Sequence, residues 1–255
     1  MKHFELVFSP TGGTQKVADT IVGEWNSEIE KVDLSDYSKD FSSVKICKDD
    51  YVLIAVPSFG GRVPGVAVSR LLQIKGNGAK CAVVCVYGNR AYDDTLIEIK
   101  NTAKKCGFSV LAAVAAVAEH SIVHQYAAGR PDSIDIKKLK EFSNIIIEKF
   151  KNGDSPAKPL SVPGNSNYKK AGSAGLIPKA GNGCTNCGLC SEKCPVQAID
   201  KNNIKVSDAK KCISCMRCVS ICPEHARKVS GAMVAVAGLA IKKACSVRKE
   251  CELYV

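Results

Sequence analysis

The stretch HFELVFSPTGGT, residues 3–14, decides how the first half of this chain folds. Its first six residues alternate in polarity and precede a turn, which is typical of a β-strand. The next residues are small and polar, and Thr14 is suited to cap a helix that we predict to extend to about Trp25. A strand, a glycine-containing loop and a helix in succession favour anion binding, because loop N–H groups and a helix N-terminus both attract negative charge.

Strands and helices continue to alternate through the first half of the chain. We predict strands at 28–34, 51–56, 79–87 and 108–118. We predict helices at 64–74, 92–106 and 134–151. The strands YVLIAV and AKCAVVCVY are almost entirely apolar, as expected where helices cover both faces of a sheet. The alternation predicts an α/β domain with a doubly wound, five-stranded parallel sheet.

Composition bounds the class of protein. The chain has 255 residues, of which 45% are apolar and 24% charged, so it can bury a core. No apolar run reaches the roughly 18 residues that would span a bilayer, and the start of the chain has no signal-peptide pattern. We therefore expect a cytoplasmic protein without a membrane span. We expect the apolar stretch at 231–241 to form a packed helix.

The 14 cysteines are unevenly distributed, and eight of them form an internal repeat. CTNCGLCSEKCPVQAI (184–199) and CISCMRCVSICPEHAR (212–227) align with each other without a gap. Each reads C-x2-C-x2-C-x3-C-P-x2-A. Clustered cysteines in a cytoplasmic chain indicate metal binding more than disulfides.

This cysteine pattern predicts two [4Fe–4S] clusters. Three closely spaced thiolates bind three irons of one cluster, and the fourth thiolate comes from the other run. One predicted ligand set is Cys184, Cys187, Cys190 and Cys222. The other is Cys212, Cys215, Cys218 and Cys194. Zinc knuckles are the alternative, but zinc sites usually combine two separated cysteine pairs. The segment 184–227 resembles bacterial two-cluster ferredoxins, which implies low-potential one-electron transfer.

The net charge of +11 suggests nucleic-acid binding at first sight, but its location argues against that function. Residues 1–150 are nearly neutral, with 19 Lys and Arg against 18 Asp and Glu, whereas residues 151–255 have 17 against 7. Two oxidised clusters would remove about 4 units of charge and a bound phosphate ester about 2. Much of the positive charge therefore balances cofactors, and we expect no nucleic-acid partner.

The loop from Ser9 to Thr14 has neither a dinucleotide-binding fingerprint nor a P-loop sequence. It has no lysine, so neutral donors would hold a phosphate there, which suits a cofactor monoester better than a transferred phosphoryl group. The loop resembles the phosphate loop of flavodoxins, S/T-x-T-G-x-T, which hold FMN. That resemblance covers residues 1 to about 150, and it implies that loops 57–65 and 87–94 enclose the flavin ring.

The resemblance implies a set of FMN-binding residues in three loops at the carboxyl ends of strands. They are Ser9, Thr11, Gly12, Gly13, Thr14, Pro57, Ser58, Phe59, Gly60, Gly61, Tyr87, Gly88, Asn89, Arg90, Tyr92 and Asp93. The stacking tryptophan common in flavodoxins is missing, since Trp25 lies on the first helix. Tyr87 could equally end a strand inside the core. His120 and His124 could donate a proton to a reduced flavin, although a hydrogen-bonded loop histidine is favoured.

The six scattered cysteines have simpler predicted roles. Cys47, Cys81, Cys85 and Cys106 are expected to pack in the core, as free cysteines commonly do. Cys245 and Cys251 do not match the spacing of the cluster ligands.

Together these features predict a flavodoxin-like α/β domain followed by a small α+β ferredoxin-like domain. The expected boundaries are 1–151 for the FMN-binding domain, 152–183 for a linker, 184–227 for the ferredoxin domain and 228–255 for a docked, helical C-terminal segment. The whole chain resembles flavodoxin–ferredoxin fusion proteins of anaerobic bacteria and archaea.

The expected function is electron transfer between two [4Fe–4S] clusters and FMN, with redox proteins as partners. Clusters exchange single electrons and a flavin exchanges one or two, so one chain could convert between them. The alternatives are an FMN-dependent reductase of a small molecule fed by its own clusters, and a ferredoxin on a flavodoxin-like scaffold without FMN. An electron carrier is favoured over an enzyme with its own substrate.

Overall fold

The structure is a computed structural model that describes residues 1–152, 159–172 and 175–255. Its main feature is a six-stranded sheet with the order β2-β1-β3-β4-β5-β8, in which β8 is Glu252–Tyr254. The first five strands are β1 (His3–Val7), β2 (Ile29–Asp33), β3 (Tyr51–Pro57), β4 (Lys80–Tyr87) and β5 (Ser109–Val117). They are all parallel, so the predicted doubly wound sheet is confirmed.

Helices cover both faces of this sheet. Helices α1 (Gly13–Val22) and α4 (Ser133–Asn152) pack on one face. Helices α2 (Gly65–Leu71) and α3 (Thr95–Lys105) pack on the other. The central strands are buried on both sides, which explains their unbroken apolar sequences.

The sixth strand corrects the prediction of five. Strand β8 (Glu252–Tyr254) pairs antiparallel with β5, with Leu253 opposite Val114. It lies in the segment predicted to be helical. That segment does contain a helix, α7 (Gly231–Cys245), but the chain then returns to the sheet. The three residues of β8 are too few to show the alternating pattern of a strand in sequence. They form a strand because the edge of β5 offers unpaired backbone groups for hydrogen bonding.

Helix α7 is the most apolar late element, yet much of it is exposed. Met233 is 48% exposed and Leu239 is 71% exposed, while Gly238 on the inner side is buried. Among the described residues, no helix combines the length and the apolarity that crossing a bilayer requires.

The predicted linker, 152–183, is described only in part, because residues 153–158 and 173–174 lie outside the described residues. The described part contacts the α/β domain. The carboxylate of Asp94 accepts hydrogen bonds from the N–H groups of Asn165 at 2.9 Å and Lys169 at 2.7 Å. Leu160 is buried in the core cluster beside α2 and α3. This stretch therefore follows the surface of the domain as an ordered strap.

The cysteine-rich segment has a small core of its own. Helices α5 (Leu189–Glu192) and α6 (Arg217–Ser220) contain one turn each. Strands β6 (Lys179–Ala180) and β7 (Arg227–Lys228) pair antiparallel on either side of them. Its buried apolar cluster consists of Cys190, Cys194, Ala198 and Ile199. So little apolar surface cannot fold a segment alone, so bound metal is expected to supply much of its stability.

The scattered cysteines follow the prediction with one exception. Cys81 and Cys85 are fully buried in β4, and burial raises the pKa of both thiols. Cys47 is exposed, contrary to the expected core position. It lies in a turn before β3, where its N–H donates to the Asp50 carboxylate at 2.7 Å and its side chain has no core to enter.

Candidate functional site

The eight repeated cysteines surround two small cavities. One is lined by Cys184, Cys187, Cys190 and Cys222. The other is lined by Cys194, Cys212, Cys215 and Cys218. These are the two crossed sets that the repeat predicts, with the fourth cysteine of each run turned to the cavity of the other run.

The backbone repeats the same geometry in both halves. Residues with left-handed φ occur in pairs at equivalent places of the two runs: Asn186 with Ser214, Gly188 with Met216, and Gln197 with His225. The N–H of Ala198 donates to Cys194 Sγ at 3.3 Å, and the N–H of Ala226 donates to Cys222 Sγ at 3.3 Å. Such N–H donors stabilise negative charge on sulfur, which is one way in which proteins tune iron–sulfur potentials.

The thiols themselves respond to burial and to these donors. Burial raises the pKa of Cys215 to about 11 and of Cys218 to about 12. At Cys222 burial acts in the same direction, but backbone N–H groups outweigh it and lower the pKa. The most buried thiols are therefore protonated near neutral pH in the metal-free chain, and a bound cation must displace those protons.

The donor set fits a cluster better than a single ion. Among the described residues, no three His, Cys, Asp or Glu side chains converge as ligands of one metal ion would. Four sulfurs instead surround each cavity, as needed when each iron of a [4Fe–4S] cluster takes one thiolate. The zinc alternative requires four ligands meeting tetrahedrally at one point.

A third and much larger cavity, of about 360 Å³, lies at the carboxyl ends of β1, β3, β4 and β5. In open α/β sheets this edge, beside the switch in strand order, is where ligands bind. Ten of the sixteen residues predicted to bind FMN line it: Thr11, Gly13, Thr14, Pro57, Ser58, Phe59, Gly60, Tyr87, Gly88 and Arg90.

Part of the loop from Ser9 to Thr14 lines this cavity where the loop enters α1. Gly12 has a φ of 91°, a left-handed conformation that ends the loop and starts α1 at Gly13. Ser9 Oγ accepts from the N–H of Gln15 at 2.9 Å and so caps the helix. Helix geometry gives the first-turn N–H groups no intrahelical acceptor, and Gly13 and Thr14 of this turn line the cavity. This neutral donor set fits a phosphate monoester.

Six predicted residues do not line the cavity: Ser9, Gly12, Gly61, Asn89, Tyr92 and Asp93. Asn89 is the clearest case, because its amide donates to the carbonyl oxygens of Cys245 at 3.0 Å and Val247 at 2.9 Å. Its Oδ1 accepts from the N–H of Lys249 at 3.0 Å. Asn89 therefore fixes the end of α7.

Tyr92, Asp93 and Gly61 also have other partners. The Tyr92 hydroxyl donates to Glu252 at 2.8 Å, which joins the loop to β8. Asp93 pairs with Arg90 and with Lys169, the latter at 3.0 Å. A Cβ at Gly61 would lie 2.1 Å from the Asp93 carboxylate, so this glycine permits close packing of two loops.

His120 lies in the wall of the cavity beside Gly88, where a Cβ on Gly88 would come within 2.7 Å of the histidine. Its Nδ1 accepts from the N–H groups of Ile122 at 3.2 Å and Val123 at 3.1 Å. Burial lowers the pKa of His120, so the neutral ring carries its proton on Nε2. His124 pairs with Glu119 at 2.7 Å and does not line the cavity.

Several lining residues were not predicted from the sequence. They are Ile122 and Val123 after β5, Leu176 of the strap, Ile213 and Ser214 of the cysteine repeat, and Ala237 and Ile241 of α7. Ile213 lines both this cavity and the cavity of Cys212, Cys215 and Cys218. Contacts between segments far apart in the chain cannot be recognised from local sequence periodicity. The one signal for Ile213 in the sequence is its position directly after the predicted ligand Cys212.

Two arginines join the halves of the molecule. Arg70 of α2 donates to the carbonyl oxygens of Leu34 at 2.7 Å and Pro195 at 2.6 Å, and it is only 8% exposed. Arg217 of α6 donates to the Ser9 carbonyl at 3.4 Å. The cysteine-rich segment thus contacts both the sheet edge and the Ser9–Thr14 loop.

Residues 183–227 match the family described as 4Fe-4S dicluster domain. Over 47 residues the chain is 43% identical to the ferredoxin-like protein in nif region of Sinorhizobium fredii (strain NBRC 101917 / NGR234). That alignment covers 16% of this chain and 73% of the relative. The chain belongs to the ferredoxin-like family of this relative. Within it, this protein is a fusion in which a flavodoxin-like domain precedes the ferredoxin segment.

Solved flavodoxins match the first part of this chain. A flavodoxin from the domain Archaea is 16% identical, with a TM-score of 0.42, and the match covers 60% of this chain and 100% of that one. Oxidised Flavodoxin 1 from Bacillus cereus is 18% identical, with a TM-score of 0.42, and the match covers 58% and 98%. The flavodoxin-like assignment rests on the parallel strand order 2-1-3-4-5 of this chain itself.

Proposed function

We propose that this chain is an electron-transfer protein that relays electrons between two [4Fe–4S] clusters and one bound FMN. The observation that carries the proposal is that Ile213 lines two cavities. One is surrounded by Cys194, Cys212, Cys215 and Cys218, and the other is the large cavity at the carboxyl ends of the strands. Two cofactor sites that share a lining residue are adjacent, which suits electron exchange.

The residues present fit both cofactors. The cysteines would hold one cluster in each small cavity. The N–H groups of Gly13 and Thr14, with the hydroxyls of Thr11 and Thr14, would hold the FMN phosphate, while Phe59 and Tyr87 would contact the ring. When bound, the clusters would supply one-electron chemistry and the flavin one- or two-electron chemistry.

The size of the large cavity favours a carrier over a reductase. Segments from the strap, the cysteine repeat and α7 contribute to its lining, so part of its volume is bounded by this chain itself. A volume of about 360 Å³ lies near the lower end of the range for one small ligand. It therefore suits a cofactor alone better than a cofactor with a separate substrate. Redox proteins are the expected partners, and the cytoplasm, where free thiols persist, is the expected location.

A matched pair of variants tests the relay. C218S removes a ligand from the cavity that shares Ile213, and C190S removes the ligand at the equivalent place of the first run from the other cavity. Wild-type protein should contain eight irons and one FMN per chain. After rapid anaerobic mixing with dithionite, we expect flavin and iron–sulfur absorption to change together in wild type and in C190S. In C218S, electron exchange with the flavin should slow at least about tenfold.

Other outcomes identify the alternatives. Equal exchange in both variants, or independent titration of flavin and clusters in wild type, would contradict the relay. Failure to bind FMN at saturating cofactor would favour the scaffold without flavin. Turnover of an added small-molecule oxidant faster than transfer to an acceptor protein would favour the reductase.

A further inference from the structure

One arginine breaks the symmetry of the cysteine repeat. Arg227 and Ile199 are the last residues of the two aligned runs and occupy equivalent positions. Ile199 is 5% exposed and packs in the small core. Arg227 is 2% exposed, although it carries a full charge. The first repeat folds with an isoleucine here, so the fold itself does not require an arginine.

Arg227 lines one cysteine cavity and contacts a residue that lines the other. It donates to the Ile204 carbonyl at 2.6 Å and to Ser207 Oγ at 3.2 Å. Ile204 and Arg227 line the cavity of Cys184, Cys187, Cys190 and Cys222, whereas Ser207 lines the other.

Arg227 has no anionic protein partner among the described residues. The ion pairs of the described chain include none with Arg227, and its buried Nε has no hydrogen-bond partner. A buried charge without a counter-charge is strongly destabilising. Both its contacts are to uncharged oxygens, so a negative charge must come from something bound beside it.

We propose that Arg227 is the buried counter-charge shared by the two clusters, and that it raises the reduction potential of both. This inference rests on the proposed function, since it requires clusters in both cavities. Each reduction adds one electron from an external donor to an already anionic cluster with four thiolates. A fixed cation between the clusters stabilises the added charge, and it also reduces the repulsion between two reduced clusters.

Three variants test the proposal in the whole chain under anaerobic conditions. R227I installs the residue of the first repeat, R227K keeps the charge, and K228I removes the neighbouring exposed lysine as a matched control. Iron per chain is measured first, because a wild type with fewer than eight irons contradicts the proposed function itself, whereas unchanged potentials in a fully loaded R227I contradict only the role of Arg227. Midpoint potentials then follow from titration with dithionite, monitored by absorption and electron paramagnetic resonance.

R227I should lower the reduction equilibrium constant of both clusters by about tenfold or more, equivalent to about 59 mV for one electron. R227K and K228I should stay within about threefold of wild type, because the first keeps the charge and water screens the second. Unchanged potentials in R227I, or an equal shift in K228I, would overturn the proposal.

A variant that loads no iron is also decisive. If R227I binds no clusters, circular dichroism of the metal-free chains separates two causes. An R227I spectrum and melting curve like those of metal-free wild type would show that the charge is needed to hold the clusters, which supports the proposal. An unfolded metal-free R227I would assign Arg227 a structural role and overturn it.

Discussion

Arg217 donates to the carbonyl oxygen of Ser9 at 3.4 Å, across the boundary between the cysteine repeat and the first loop of the sheet. Its Nη2 also lies 3.6 Å from the Asp33 carboxylate. Arg217 directly precedes Cys218, so the backbone that carries a cluster ligand is tied to the loop predicted to hold phosphate. Motion of either loop must therefore displace the other or break these contacts.

This connection predicts a local effect of R217Q. Contacts of this kind contribute about 1 kcal/mol each, so we expect amide hydrogen exchange to accelerate several-fold in residues 9–14 and 213–219. Iron content should not change, because Arg217 is not a ligand. K211Q is the control, since Lys211 is an exposed lysine of the same segment. Unchanged exchange in R217Q would contradict the coupling.

The crossed ligand sets predict how pairs of cysteine substitutions combine. C190S with C222S removes two ligands of one cavity, so one cluster and about four irons should remain. C190S with C194S removes one ligand from each cavity, so both clusters should be lost or damaged. Iron and sulfide analysis measures both. An uncrossed arrangement would reverse the two results, and C47S, at an exposed cysteine, should retain eight irons.

The buried position of Thr14 at the large cavity predicts that its hydroxyl strengthens the binding of the FMN phosphate. It is 4% exposed and lines the large cavity, so T14V removes a buried hydroxyl at nearly constant volume. A hydrogen bond to a charged group contributes about 1.5–3 kcal/mol, and we therefore expect FMN to bind about 10- to 100-fold more weakly. Flavin fluorescence quenching on titration of flavin-free protein measures the affinity.

The control for this variant lies on the same helix. Thr20 of α1 donates to the carbonyl oxygen of Lys16 at 2.7 Å and does not line the cavity, so T20V should bind FMN like wild type. Equal affinity of T14V and T20V would exclude a role of the Thr14 hydroxyl.

The two hydrogen bonds that Asp94 accepts from the strap predict that this residue limits local opening of the strap. Its buried carboxylate accepts from two backbone N–H groups, at Asn165 and Lys169. D94A removes both acceptors, so local opening should become easier and trypsin should cleave after Lys169 or Lys170 at least about tenfold faster. D49A, at an exposed aspartate, should be cleaved like wild type. Resistance of D94A would mean that Leu160 and other apolar contacts hold the strap.

The raised pKa of Glu5 predicts that the free energy of unfolding depends on pH. Burial and the negative charge of Asp19 raise the pKa of Glu5 to about 7, and Lys31 and Gln15 only partly offset them. The folded state therefore binds the proton more tightly than the unfolded state, so stability decreases as pH rises from about 4.5 to 7 and stays lower above it. E5Q should be more stable than wild type at pH 8 by up to about 3 kcal/mol.

Thermal unfolding of both proteins between pH 5 and 8 measures this difference, which should shrink towards pH 5. E30Q is the control, because Glu30 is exposed on the neighbouring strand β2. Parallel pH profiles for wild type and E5Q would contradict the buried, proton-binding state of Glu5.

The five parallel strands could be predicted because burial on both faces leaves a direct trace in sequence. Val52, Leu53 and Ile54 are all fully buried, and no surface position interrupts the run. Strand β8 could not be predicted in this way. Leu253 is paired only because the edge of β5 is available, and that pairing joins segments that lie far apart in the chain.

In the candidate site, too, features set by local sequence were predictable, whereas contacts between distant segments were not. The grouping of the eight cysteines around two cavities was predictable, because the spacing of each run is local in the sequence, and their role as cluster ligands stays a prediction. Thr11, Gly13 and Thr14 were predictable because they follow a strand and begin a helix. Asn89 was predicted at the flavin but does not line the cavity, since loop position does not reveal that its amide donates to the carbonyls of Cys245 and Val247.

The pairing of β8 with β5 has a consequence for biosynthesis. During synthesis, the flavodoxin-like domain leaves the ribosome before residues 252–254 do. The nascent sheet therefore has an unpaired β5 edge while the cysteine repeat is translated. If the flavodoxin-like domain is expressed separately from the rest of the chain, its β5 edge stays unpaired. The separate domain should then aggregate unless the C-terminal part of the chain is supplied in trans.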